Sequence, residues 1–293
     1  MRVLLTGGTG FVGRNLRERL GRRFEVLAPR RPELDLLDAT AVRSYLARNA
    51  VDAVVHAATT PGHRNAPLVQ DLGLRNIRMF LNLFRAAAAS TRFVVLGSGA
   101  EYDVSRNIVK AREDDPSHPV PTDETGFSKL VQSTVADGHA GFVHLRPFGV
   151  YGPHEDWEIR FVSNALCKAL HGLPITLRQN RRLDYVWVDD LCGVVARFLL
   201  RESDGHAVFN VTPDETPDLL SLARLARDVA GSDVPIIVAR DGIGFEYTGD
   251  NRRLRGEFPD LTFTPFREAM ERLCSFYRAR LGEIPRERLM IDK

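Results

Sequence analysis

The sequence predicts a doubly wound α/β fold, with a parallel sheet covered by helices on both faces and a smaller α/β lobe built mostly from C-terminal segments. Three observations carry this expectation. Short aliphatic runs alternate with amphipathic patterns through the first half of the chain: "RVLLTGG", "FVGRNLRERLGRR", "FEVLAP", "ATAVRSYLARNA", "VDAVVHAA", "LGLRNIRMFLNLFRAAAAS" and "RFVVLGSG". The runs are apolar throughout, as strands buried on both faces must be. A length of 293 residues with 44% hydrophobic content suffices for one large domain and a second lobe.

The first strand enters a helix through "LLTGGTGFVG", which spaces Gly7, Gly10 and Gly13 for a tight turn, a close backbone approach to a pyrophosphate and contact between helix and strand. Helix amides and the positive end of the dipole favour an anion there. The same stretch puts Thr9, Phe11 and Val12 at the dinucleotide, with Leu16 and Leu20 continuing the apolar side of the helix. The second strand, "FEVLAP", ends at Arg30 and Arg31 with no carboxylate before Glu33. An acid at this place binds the ribose hydroxyl of NAD and an arginine accommodates the 2′-phosphate of NADP, so Arg30 favours NADP, with NAD the alternative. Asp35, with Leu36 beside it, is expected to face the adenine, and Asp38 to cap the next helix. "VDAVVHAA" ends a strand at Ala57, beside the cofactor, and "GFVHLRPF" forms a further strand. Beyond Gly152 the pattern loosens into a helix near 158–171, the strand "DYVWV", a helix from Asp189 to Leu200, "AVFNVT", a helix at 217–231 and a last helix from Phe266 to about Leu281. Residues 1–152 are thus assigned to nucleotide binding and 153–293 mainly to a substrate lobe, with about 182–212 returning to the sheet.

A net charge of +2 with mixed signs offers no footprint for nucleic acid or a membrane surface, so small molecules are the expected partners. Cys167, Cys192 and Cys274 lack metal-ligand spacing and read as reduced thiols; no metal is expected. The apolar run at the start goes straight into a glycine turn, and the expected location is cytoplasmic.

Together with "DLLD", "HAA" at 56–58, "LGSGAEYD" at 96–103, "SK" at 128–129, "LRPFGVYGP" at 145–153 and "YVWVDDL" at 185–191, the glycine turn resembles the extended short-chain dehydrogenase/reductase family, in the branch acting on nucleotide-linked sugars. "GSGAEYD" is similar to the loop of 4-keto-sugar reductases. The resemblance implies a Rossmann domain and three catalytic parts. A Tyr exchanges the proton on the reacting oxygen, a Lys four residues later holds the nicotinamide ribose, and a Ser or Thr hydrogen-bonds the substrate oxygen. Ser98 and Lys129 match two of these, and the resemblance also implies that Pro147, in "GFVHLRPF", flanks the nicotinamide of the cofactor. Only four of the forty cationic residues are Lys, which makes a chance lysine at 129 improbable. The Tyr position holds Thr125, whose aliphatic hydroxyl does not ionise near neutrality as a cation-assisted phenol can. The Asp-Glu pair of the family's dehydratases is replaced by Gly99 and Ala100, and Ala100 also stands where GDP-fucose synthases carry Cys, so the parts left intact suit hydride transfer.

Near the sugar, Glu101 replaces a usually apolar residue, and Tyr102 matches an aromatic that is structural in the family. Arg160, Asn164 and Lys168 recur at helical spacing and form one stripe, which serves a nucleoside diphosphate or a solvated face. Arg182 and Arg252 are further candidates by resemblance. The expected activity is an NADP-dependent reduction of a nucleotide-linked keto-deoxy sugar at C4. An epimerase with tightly held NAD(P), and a catalytically silent NADP-binding protein, are the alternatives. The resemblance also implies a homodimer formed through helices at 68–90 and 124–139.

Overall fold

The computed structural model describes residues 1–63, 65–135, 139–201 and 207–290. In chain order the first unit comprises β1 (Arg2–Thr6), α1 (Phe11–Leu20), β2 (Glu25–Leu27), α2 (Ala39–Arg48), β3 (Ala53–His56), α3 (Leu72–Ala86), β4 (Arg92–Leu96), β5 (Ile108–Ala111), α4 (Glu124–Val135) and β6 (Phe142–Pro147). There follow β7 (Gly149–Tyr151), α5 (Phe161–Leu170), β8 (Ile175–Asn180), β9 (Tyr185–Trp187), α6 (Val188–Leu200), β10 (Ala207–Val211), α7 (Leu219–Ala230), β11 (Ile236–Ile243), β12 (Tyr247–Gly249), α8 (Arg252–Glu257) and α9 (Phe266–Arg278).

Six parallel strands make one sheet in the order β10-β6-β4-β3-β1-β2. Alternation along β1 shows why its run is apolar throughout. Val3 and Leu5 pack in a core with Leu16 and Leu20 of α1 and Val194 and Phe198 of α6, while Leu4 packs in another with Val42 of α2 and Phe80 and Leu83 of α3. Each such fully buried side chain is worth about 1.5–3 kcal/mol. Strand β10 and helix α6 come from beyond residue 180, so the chain returns to complete this sheet. A separate core lies among α5, α7 and α9, around Leu166, Leu222 and Met270.

Asp38 caps α2, accepting from the amides of Thr40 (2.8 Å) and Ala41 (3.0 Å). Asp189 and Asp190, in the first turn of α6, do not cap it. Asp190 accepts from the amide and hydroxyl of Thr264 (2.8 and 2.7 Å), and Asp189 pairs with Arg19. Three short parallel pairs, β5–β12, β7–β9 and β8–β11, lie outside this sheet; β9 is the expected strand "DYVWV", but it pairs with β7 instead of returning to the six strands, and the other five strands have no expected counterpart. The pairing of β12 with β5, Tyr247 opposite Ile108, brings a C-terminal segment to the loop after β4.

Candidate active site

A cleft of about 750 Å³ opens at the end of β1. Gly7 has φ +75°, and a Cβ there would lie 2.7 Å from the Ala57 carbonyl carbon. A Cβ on Gly13 would lie 2.0 Å from the Gly7 oxygen. Gly10 caps α1 with no side chain to occupy the first amides of the helix. Gly7, Thr9, Gly10, Phe11, Val12 and Gly13 all line the cleft, and the three glycines leave backbone and a helix N-terminus open to it, as an anionic ligand requires.

At one end stand Arg30, Arg31, Asp35 and Leu36, and Ala57 forms part of the wall. The carboxylate of Asp35 is engaged locally, accepting from the Leu37 amide (2.9 Å) and pairing with Arg31 at 3.5 Å. Arg30 is exposed; its amide donates to the Glu33 carboxylate (2.6 Å), and its carbonyl accepts from the Glu33 and Leu34 amides (2.9 and 3.0 Å). Replacing Arg30 by Ala is expected to weaken NADPH binding by about 10- to 100-fold, the loss of one charge-assisted contact, with NADH binding little changed. Paired calorimetric titrations would measure it; equal losses for both dinucleotides would remove Arg30 from phosphate recognition.

Beyond β4 the chain turns sharply at Ser98. The Ser98 hydroxyl accepts from the Ala100 amide (3.1 Å), and Glu101 accepts from the Ser98 amide (3.0 Å), a reciprocal capping box. Lys129 is 6% exposed and donates to the Leu96 carbonyl at 2.7 Å, which fixes its ammonium two residues from Ser98. Burial pulls the Lys129 ammonium down to about 8, with the Glu101 carboxylate opposing the fall. Thr125, one turn earlier on α4, faces the segment at Gly62, where a Cβ would lie 3.3 Å from its hydroxyl. Pro147 is buried at the end of β6 and is not part of the cleft lining.

Glu101 and Tyr102, expected at the substrate, lie inside the protein, 3% and 4% exposed. Glu101 accepts from His144 and from Arg146, both at 2.7 Å. Burial would raise its carboxyl, but the charges and hydrogen bonds of His144 and Arg146 bring it down to about 2. Arg146 also donates to the Tyr102 hydroxyl (2.9 Å), which in turn donates to Asn210 (2.8 Å) on β10. These side chains form a buried brace beneath Ser98, linking the loop after β4 to β6 and β10.

The stripe on α5 divides. Arg160, its cap residue, is exposed and lines the cleft. Asn164 instead donates to the carbonyls of Trp157 (3.0 Å) and Glu158 (3.3 Å), and Lys168 is buried and donates to Thr176 at 2.7 Å. Arg182 is exposed, and its carbonyl accepts from the Tyr247 amide. Arg252 pairs with Asp250. Tyr151 and His154, just beyond β6, make ring contacts away from Ser98. Tyr151 stacks on Phe266 in the second core, and His154 packs on Phe276.

One residue given no role in the sequence stands at this site. Tyr247 of β12 brings its phenol oxygen to 2.7 Å from where a Gly99 Cβ would be, with the Ser98 hydroxyl as its partner and the Phe148 ring 4.8 Å away.

Among the described residues no cluster of His, Cys, Asp or Glu could hold a metal ion, and no helix is long and apolar enough to cross a membrane.

Comparison with known proteins bears on the fold and the family. GDP-6-deoxy-D-talose 4-dehydrogenase of Aggregatibacter actinomycetemcomitans is 26% identical over 225 residues, 71% of this chain and 73% of that one. GDP-L-fucose synthase of Azorhizobium caulinodans is 38% identical over 92 residues, 30% of each chain, so this match spans less than a third of that synthase. The fold is shared with dTDP-4-dehydrorhamnose reductase of Bacillus anthracis, solved in complex with NADP (TM-score 0.78, 18% identity, 93% of this chain and 98% of that one). The profile of the NAD dependent epimerase/dehydratase family matches residues 3–212, well over half of the sequence, and the chain belongs to that family.

Proposed function

We propose that the protein is an NADP-dependent reductase of a nucleotide-linked keto-deoxy sugar, acting at C4. The observation that carries this reading is the buried Lys129 ammonium fixed at Leu96, two residues before Ser98, at the end of a strand that lies two places from β1 and its glycine turn in the same sheet. The cradle suits the dinucleotide because its backbone is bare where a pyrophosphate must approach, and Arg30 is free to meet a 2′-phosphate. When bound, the reduced nicotinamide supplies a hydride. Lys129 would hold the nicotinamide ribose and set a positive field at the reacting oxygen, and Ser98 would donate a hydrogen bond to that oxygen. Arg160 would meet the diphosphate of the substrate. The names of the relatives, a GDP-sugar 4-dehydrogenase and a GDP-sugar synthase, support a nucleotide-sugar substrate. Leu74 on α3 and Phe127 on α4, both exposed, support a homodimer through these helices; residues 136–138 of the expected interface lie outside the described residues.

Purified protein mixed with NADPH and a panel of 4-keto-6-deoxy nucleotide sugars is expected to oxidise the cofactor and yield the 4-hydroxy sugar. Binding of NADPH without turnover on any member would favour the second reading, a silent NADP-binding protein, for which Thr125 in the phenol position is the supporting observation. Because burial brings Lys129 to about 8, its positive charge is lost above that value. Turnover should therefore fall as pH rises through about 8, and kcat/KM measured from neutral to alkaline pH checks this. A profile flat through that region would separate catalysis from the Lys129 charge.

A further inference from the structure

Resting on the reductase reading, we infer that Tyr247, from the C-terminal lobe, supplies the phenol that the Thr125 position lacks and protonates the sugar oxygen. The chain has six tyrosines. Tyr45 packs with the core between α2 and α3, and Tyr102 is locked to Asn210 and Arg146. Tyr151, Tyr185 and Tyr277 belong to the second core. Tyr247 alone brings its hydroxyl to the Ser98 turn.

Its seat is built by absences of side chain. A Cβ on Gly99 would lie 2.7 Å from the phenol oxygen and 2.6 Å from the Phe148 ring, and a Cβ on Gly249 would lie 2.5 Å from that same ring. Glycine at both places lets Phe148 and Tyr247 pack over the loop after β4, and it accounts for Gly99 where the family's dehydratases carry an acid. The backbone of Tyr247 is held on both sides. Its amide donates to the Arg182 carbonyl (3.0 Å), its carbonyl accepts from the Asp184 amide (3.1 Å), and the buried Asp184 carboxylate accepts from the Gly249 amide at 2.8 Å. The residue is half-buried, and its ring packs on Phe148. Burial raises the phenol above its ordinary value and the Ser98 partner opposes the rise, which leaves a protonated donor at neutral pH.

The step balances as follows. The carbonyl carbon takes a hydride, with both electrons, from the reduced nicotinamide, which is oxidised. The C–O π pair moves onto oxygen, and this oxygen takes the proton of the Tyr247 phenol. Water returns a proton to the phenolate, and the product is the secondary alcohol.

Two measurements test this. Tyr247→Phe removes the proton and keeps the ring; kcat for NADPH-dependent reduction should fall about 100-fold or more, while the NADPH Kd from calorimetry stays within about threefold. Separately, 3-fluorotyrosine placed at position 247 alone gives a fluorine resonance that should shift when NADPH is added without any sugar. A Tyr247→Phe protein within about tenfold of the parent kcat, or a resonance that saturating NADPH leaves in place, overturns the inference. Failure of the reductase reading looks different. There NADPH does not bind, or binds with no sugar turned over; in the latter case the fluorine shift still decides where Tyr247 lies.

Discussion

Replacing Glu101 by Gln is expected to cost about 3–5 kcal/mol of stability, because it removes the anion from a buried cluster and leaves the guanidinium of Arg146 uncompensated. The carboxylate accepts from His144, Arg146 and the Ser98 amide at 2.7, 2.7 and 3.0 Å, and an amide cannot accept at both oxygens. A loss of that size corresponds to a melting temperature lower by about 10 °C. The same pair gives the wild type an acid limb. The Glu101 carboxyl, ordinarily at 4.5, sits at about 2 in the fold, so the unfolded chain takes up the proton first. Its stabilising share is present above 4.5 and is lost as pH falls from there towards about 2. Thermal unfolding across acid pH should show the wild type losing stability in that window and Glu101→Gln losing less. A variant as stable as the wild type at neutral pH would mean that the brace is not under electrostatic load.

Gly13→Ala is expected to lower NADPH affinity by more than about 100-fold. Its added methyl carbon would sit 2.0 Å from the Gly7 oxygen, inside any permitted contact, and neither α1 nor the turn can yield without moving the other. Gly7 cannot retreat, since its own Cβ position is already closed by the Ala57 and Ala58 backbone. The displaced turn would withdraw the helix amides from the pyrophosphate. Calorimetry gives the affinity and circular dichroism confirms a folded chain; undiminished binding would show that the dinucleotide, if bound, lies elsewhere.

The sheet was legible because its strands are apolar on both faces, and the glycine turn because its spacing has a steric cause. Motif order alone singled out Ser98 and Lys129, and the fold holds the Lys129 ammonium at Leu96, two residues from Ser98. Glu101 was misplaced at the substrate because its partners His144 and Arg146 lie on β6, more than forty residues away in sequence. A local signal did exist, since Ser98-Gly-Ala-Glu101 has capping-box spacing and turns the carboxylate back to the chain. Lys168 followed the α5 stripe in sequence, yet its ammonium turns inward to Thr176, a partner that helical spacing cannot reveal. Tyr247 was hidden for another reason. Strand β12 has three residues and pairs with β5 across some 139 positions of chain, so nothing local marks it as a neighbour of Ser98.

The most direct measurement is calorimetric titration of the purified chain with NADPH and, separately, NADH. Saturable binding of one dinucleotide per chain, tighter for NADPH and abolished by Gly13→Ala, is the predicted result. Heat from neither dinucleotide, with the protein folded, would contradict the assignment of the cleft and everything built on it.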